Sequence, residues 1–131
     1  MKKLILTTIL SIFAMVTFAA GEAEIKFEKT SHDFGTFSES SPKVTCVFKF
    51  TNTGDKLLVI HQAIASCGCT VPQYPKEPIK PGESGEITVT YNGAGKFPGH
   101  FKKSITIRTN GKQEIIRLYV TGDMLPSTKT E

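Results

Sequence analysis

The chain has 131 residues, 39% hydrophobic and 21% charged, which are the proportions of one soluble globular domain. Its formal net charge is +4, and setting aside Lys2 and Lys3 leaves 14 basic against 12 acidic residues. The remaining cations alternate with acids, as in Lys26-Phe27-Glu28-Lys29 and Lys112-Gln113-Glu114, so the dense basic run of a nucleic-acid surface is absent and no nucleic-acid partner is expected.

The first segment, Met1-Lys2-Lys3 followed by an uncharged apolar run from Leu4 to Phe18 and the small residues Ala19, Ala20 and Gly21, predicts a signal peptide over residues 1–20. A permanent anchor needs about 20 apolar residues, so no transmembrane segment is expected in the mature chain. No cysteine lies near the cleavage region to carry a lipid. The expected location is therefore periplasmic or extracellular, where disulfides persist. One domain is expected over 21–125, followed by a polar, frayed tail at 126–131.

From Ile25 onward the apolar residues alternate and are interrupted by turn signals at the spacing of an all-β protein. Strands are expected over Ile25–Glu28 and Val44–Thr51, with a short segment Ser31–Phe37 between them. In the second strand Val44, Cys46, Phe48 and Phe50 share one face, which places Cys46 in the core. Asn52-Thr53-Gly54-Asp55 reads as a turn. A third strand, Leu57–Ile64, leads into Ser66-Cys67-Gly68-Cys69-Thr70. Pro72, Pro75, Pro78 and Pro81 then predict a stiff crossing loop from Pro72 to Gly82.

Further strands are expected over Glu86–Tyr91, Phe101–Thr109 and Gln113–Thr121, the last two joined by a type I′ turn at Asn110-Gly111. Phe27, Phe34, Phe37, Phe48, Phe50, Phe97 and Phe101 are all assigned to the core. Six or seven short strands of this kind predict an immunoglobulin-like antiparallel β-sandwich of about seven strands. The chain contains no tryptophan, so the sandwich lacks the inter-sheet pin of antibody domains.

Cys67 and Cys69 are the concentrated reactive groups. Residues i and i+2 of an extended segment lie about 6.6 Å apart on one face, and Gly68 permits a bend that shortens this. The pair can close a small disulfide, hold a soft ion as thiolates, or remain inert. Under the metal reading Cu(I) or zinc would bind at Cys67 and Cys69, with zinc needing further ligands; otherwise no cofactor is expected. His61, placed with Leu57, Val59 and Ala63, reads as a surface residue in preference to a ligand, and His32 and His100 as turn residues. Glu77, Glu83, Ser66 and Ser84 lack the surroundings that acid–base or nucleophilic catalysis requires, so no catalytic residue and no enzyme activity are expected.

The words His32-Asp33-Phe34-Gly35-Thr36, Phe48-Lys49-Phe50-Thr51-Asn52-Thr53-Gly54-Asp55, Ser66-Cys67-Gly68-Cys69-Thr70-Val71-Pro72, Tyr74-Pro75-Lys76-Glu77-Pro78-Ile79 and Pro81-Gly82 resemble, in this order, the bacterial family named domain of unknown function 1573. The resemblance runs from about Phe27 to Gly122. It implies an immunoglobulin-like sandwich similar to Hydin-type and major-sperm-protein-type domains, exported by Gram-negative bacteria, and it implies no activity. The expected role is binding or assembly, with a protein partner taken up by strand addition at a sheet edge and the Cys-Gly-Cys corner as a structural or ligand point; the alternative is a soft-metal or thiol-redox accessory using Cys67 and Cys69.

Overall fold

The computed structural model describes residues 21–127. The expected signal peptide over 1–20 and positions 128–131 of the expected tail lie outside the described residues. The alternating segments form eight strands: β1 (Ile25–Phe27), β2 (Ser31–Ser38), β3 (Lys43–Asn52), β4 (Ile60–Ala65), β5 (Thr70–Gln73), β6 (Ser84–Asn92), β7 (Gly99–Thr109) and β8 (Ile115–Leu125). They make two four-stranded sheets, ordered β1-β3-β6-β5 and β2-β8-β7-β4. Five of the pairings are antiparallel and one, β2 with β8, is parallel. The first stretch of chain thus serves both sheets, β1 adding to one and β2 to the other.

The inner faces follow the alternation. Phe48, Phe50, Ile87 and Val89 from one sheet meet Ile105, Ile107, Leu118 and Val120 from the other, each exposed by 2% or less. Burying side chains of this size stabilises the fold by about 1.5–3 kcal/mol apiece. Cys46 lies among them as expected.

Five expectations are corrected. Phe97 is 97% exposed, because Gly95 and Gly99, at φ +76° and +140°, turn the β6–β7 loop away from the core. The Asn110-Gly111 pair makes no type I′ turn, since Asn110 and Gly111 both keep negative φ. Instead, the Asn110 side chain accepts the Val59 N–H at 2.8 Å and donates to the Leu57 carbonyl at 3.0 Å, while a Cβ on Gly111 would sit 2.7 Å from the Ala23 carbonyl oxygen. The signal was real but it records packing.

The expected third strand begins later, at Ile60, with Leu58 making an isolated bridge to Ile79. A register shift between Ile60 and Gln62 changes which face points inward: Leu58 and Ile60 are buried before it, and Ala63 and Ala65 pack on the core after it. Pro72, expected in a loop, lies inside β5, a position an edge strand tolerates. His32 and His100 belong to β2 and β7; His100 Nδ1 lies 2.9 Å from Asp123 Oδ1 across the β7–β8 ladder, and His32 packs edge-on against Phe34.

The Asn-Thr-Gly turn has its own physical basis. Asn52, with no exposed surface, uses its side-chain oxygen to accept the N–H groups of Glu24 and Gly54 at 3.3 and 3.0 Å, and its amide donates to the carbonyls of Lys56 and Ile79 at 2.7 and 2.9 Å. A buried amide with all four positions used is stabilising where a partly used one would be costly. Gly54 has no room for a Cβ, which would run into the Glu22 carbonyl.

Candidate interface at the sheet-crossing corner

β4 and β5 are the edges of their respective sheets on one side of the sandwich, and residues 66–69 carry the chain from one to the other. The Ser66 N–H donates to the Ser104 carbonyl at 2.9 Å and its hydroxyl accepts the Ser104 N–H at 3.1 Å, so the start of the corner is fixed to β7. The Asn92 N–H donates to the Cys69 carbonyl at 2.8 Å, fixing its end to β6. Ser66, weighed in the sequence as a nucleophile, is consumed by this structural role.

Cys67 and Cys69 sit between these anchors with Cα atoms 5.3 Å apart and their sulfurs paired as a disulfide. The Cys69 N–H approaches Cys67 Sγ at 3.1 Å and Cys69 Sγ lies 3.6 Å from Thr70 Oγ1. Both cysteines are half-buried and Gly68 between them is exposed. Among the described residues no three His, Cys, Asp or Glu side chains converge in a way that could hold an ion; His61 is exposed on β4. Cys46 is separate from the corner, buried among Phe48 and Val89, and burial raises its thiol pKa from 9.0 to about 11.

The two edges that flank the corner differ in what they offer. Antiparallel ladders alternate between residues bonded to the neighbour and residues whose N–H and C=O point away. With Cys69 bonded to Asn92, the outward positions of β5 are Thr70 and Pro72. The Thr70 N–H is already given to the Cys67 carbonyl at 3.2 Å, and Pro72 has no N–H. β5 therefore presents no free donor at either position.

With Ser66 bonded to Ser104, the outward positions of β4 are Ala65 and Ala63, and among the described residues no turn or loop hydrogen bond engages either backbone. The open stretch has defined ends: the Tyr74 hydroxyl closes on the His61 carbonyl at 3.4 Å, and the Cys67 carbonyl is taken by Thr70. Ile64, between the two alanines, is 47% exposed. β4 carries no charge and no proline, the two usual devices that blunt an edge.

The other two edges are blunted in different ways: β1 has three residues, and β2 is interrupted between Asp33 and Thr36, where Gly35 takes φ +68° and its N–H is held by Asp33 Oδ1 at 2.8 Å. The sequence located the corner but not this edge, because strand order across a sheet has no local signature.

The eight-stranded, two-sheet sandwich resembles PapD-like, immunoglobulin-like domains. The chain is similar in fold to the ASH/PapD-like domain 7 of human CEP192, at 9% identity and TM-score 0.64 over 81% of this chain and 88% of that one. It is also similar to a protein of unknown function from Porphyromonas gingivalis W83, at 16% identity and TM-score 0.66 over 77% of this chain, and to the periplasmic chaperone SfaE, at 13% identity and TM-score 0.54 over 79% of this chain. The matched region spans 46% of the P. gingivalis protein and 58% of SfaE. No curated protein matches the chain in sequence. The model of the family described as protein of unknown function, DUF1573, matches residues 25–124, and the chain belongs to that family. No helix among the described residues is long and apolar enough to cross a membrane.

Proposed function

We propose that this protein is an exported, non-catalytic binding or assembly module that takes up an extended segment of a partner protein as an added strand along β4. The observation that carries this reading is the contrast between the two edges at the corner: β5 has no free N–H donor at Thr70 or Pro72, whereas β4 keeps the backbone of Ala63 and Ala65 open beside an exposed Ile64. Unpaired edge groups are the template for strand addition. Similarity to a periplasmic chaperone and the apolar first segment support export. The Cys67–Cys69 corner acts as a clasp that ends the open stretch; the alternative, capture of Cu(I) or zinc or thiol exchange at these residues, draws only on the pair itself.

A photo-crosslinking residue at position 64, with a control at Thr88 on the outer face of the other sheet, tests the reading in the producing cell. A discrete adduct from position 64, lost when Ala65→Pro removes an outward N–H, is the expected result. Equal adducts from both positions, or an adduct indifferent to Ala65→Pro in a protein that still melts cooperatively, would overturn it.

A further inference from the structure

The outer face beside the β4 edge carries a charge pattern that specifies the partner further. The chain has two arginines, Arg108 and Arg117, and both project from this face, exposed, on adjacent strands. Cross-strand register sets them in two rows running inward from the edge: Gln62, Arg108, Ile115 and then Ile64, Thr106, Arg117. In the next row Tyr119 pairs with Ser104, and Lys102, one row further, reaches back to lie 4.8 Å over the Tyr119 ring. Among the described residues the ion pair present is His100 with Asp123, so neither guanidinium has a carboxylate within pairing distance. Glu114 shares the shallow groove around Arg108 with His61, Asn110 and Ile115 without forming a pair. The acids of the face, Asp33 and Asp123, lie on β2 and β8, away from β4.

We infer that the strand received by β4 is acidic on its outward face, with a carboxylate directed to Arg108 and with Arg117, one strand further in on β8, adding its charge to the same face; this rests on the strand-addition reading. Adjacent strands are about 4.8 Å apart, so an added strand would run about 10 Å from β7, a gap that Arg108 and a glutamate side chain close by meeting midway, whereas Arg117, about 14 Å away on β8, acts on the strand through its longer-range field. On the inward face Ala63 and Ala65 are small and only partly buried, leaving room for larger apolar side chains of the incoming strand. The specified segment therefore alternates acidic with apolar residues. A second copy of this chain does not meet the specification: pairing two β4 edges about a two-fold axis would place the arginine rows of both copies on one continuous face, where like charges repel.

Two blocked eight-residue peptides, one alternating valine with glutamate and the other valine with lysine, test the inference on the full mature chain by amide NMR. The expected result is slowed exchange of the Ala63 and Ala65 amides with the glutamate peptide, an affinity at least about tenfold above the lysine peptide at low salt, and loss of that preference in Arg108→Gln/Arg117→Gln or at high salt. Equal binding of both peptides at Ala63 and Ala65 would overturn the acidic specification while leaving strand addition standing. Protection of neither amide by either peptide would overturn both.

Discussion

Tyr91 and Phe101 stack face to face, their ring centroids 3.8 Å apart and their planes 11° from parallel. One ring comes from each sheet, so the contact crosses the sandwich, and Phe37 meets both rings edge-on at 6.2 and 5.9 Å. In a domain without tryptophan and with its disulfide at a corner, this cluster holds the two layers together at that end. Tyr91→Leu and Phe101→Leu are each expected to lower stability by about 2–3 kcal/mol, and a double-mutant cycle in denaturant should return a coupling of about 1 kcal/mol. Additive losses would mean that the stack is only two separate burials.

Asn52→Ala removes the side-chain partner of the Glu24 and Gly54 N–H groups and the Lys56 carbonyl at once, and one of the two donors to the Ile79 carbonyl, which keeps the Leu58 N–H. A loss of at least about 3 kcal/mol is expected, read as a lower denaturation midpoint at unchanged slope. Thr51→Ala, one position earlier and bonded through its hydroxyl to Ser84 at 3.0 Å on the surface, should cost well under half as much.

Alkylation of the denatured, unreduced protein should add one label by intact mass, at Cys46, and three after reduction. Because the Cys67–Cys69 loop is only three residues long, Cys67→Ser/Cys69→Ser is expected to lose about 1–2 kcal/mol and still melt cooperatively. Three labels without reduction would show the corner to be an open dithiol.

Alkaline pH should destabilise the fold in a defined window. The Cys46 thiol is raised by burial from 9.0 to about 11, and Tyr91 is raised by the same cause from 10.0. Both groups stay protonated in the folded chain where the unfolded chain has begun to ionise, so the unfolded state binds fewer protons and stability falls as pH rises from about 9 towards 11. Cys46→Ala should flatten the lower part of that fall, as measured by the melting temperature between pH 8 and 11.

Phe97 gives the opposite expectation to its sequence assignment. Phe97→Ser should leave the unfolding free energy, measured in denaturant, within about 0.5 kcal/mol of the parent, whereas a core position would lose several times that.

The sandwich was legible because residues facing one another across it keep a strict period of two: Val44 to Phe50, Ile87 to Tyr91, Ile105 to Ile107, and Leu118 to Val120. What escaped were the places where the backbone departs from that period or a turn residue serves another purpose. The shift at His61 exchanges inward and outward positions without any change in composition, so the period of two keeps His61 correctly with Leu57 on the exposed face but wrongly adds Ala63, which packs inward. Pro72 reads as a loop residue unless its nitrogen is known to face the open side of an edge strand. Asn110 and Gly111 have the composition of a tight turn, yet the amide reaches Val59 and Leu57 and the missing Cβ makes way for Ala23. The Cys-Gly-Cys corner could be located from its own residues, while the open edge beside it depends on which strands end up outermost.

The split of the opening segment also sets how the domain answers to tension. β2 and β8 run side by side in the same direction, and among the described residues β1 and β2 come first in the chain and β8 is the last strand. A pull on the two ends can peel β1 away, but it drags β2 and β8 along each other lengthwise, loading their ladder in shear so that its bonds share the force. A module tethered at both ends would hold its shape until that ladder yields, and its lifetime under load would follow the rate of that single rupture in preference to its equilibrium stability.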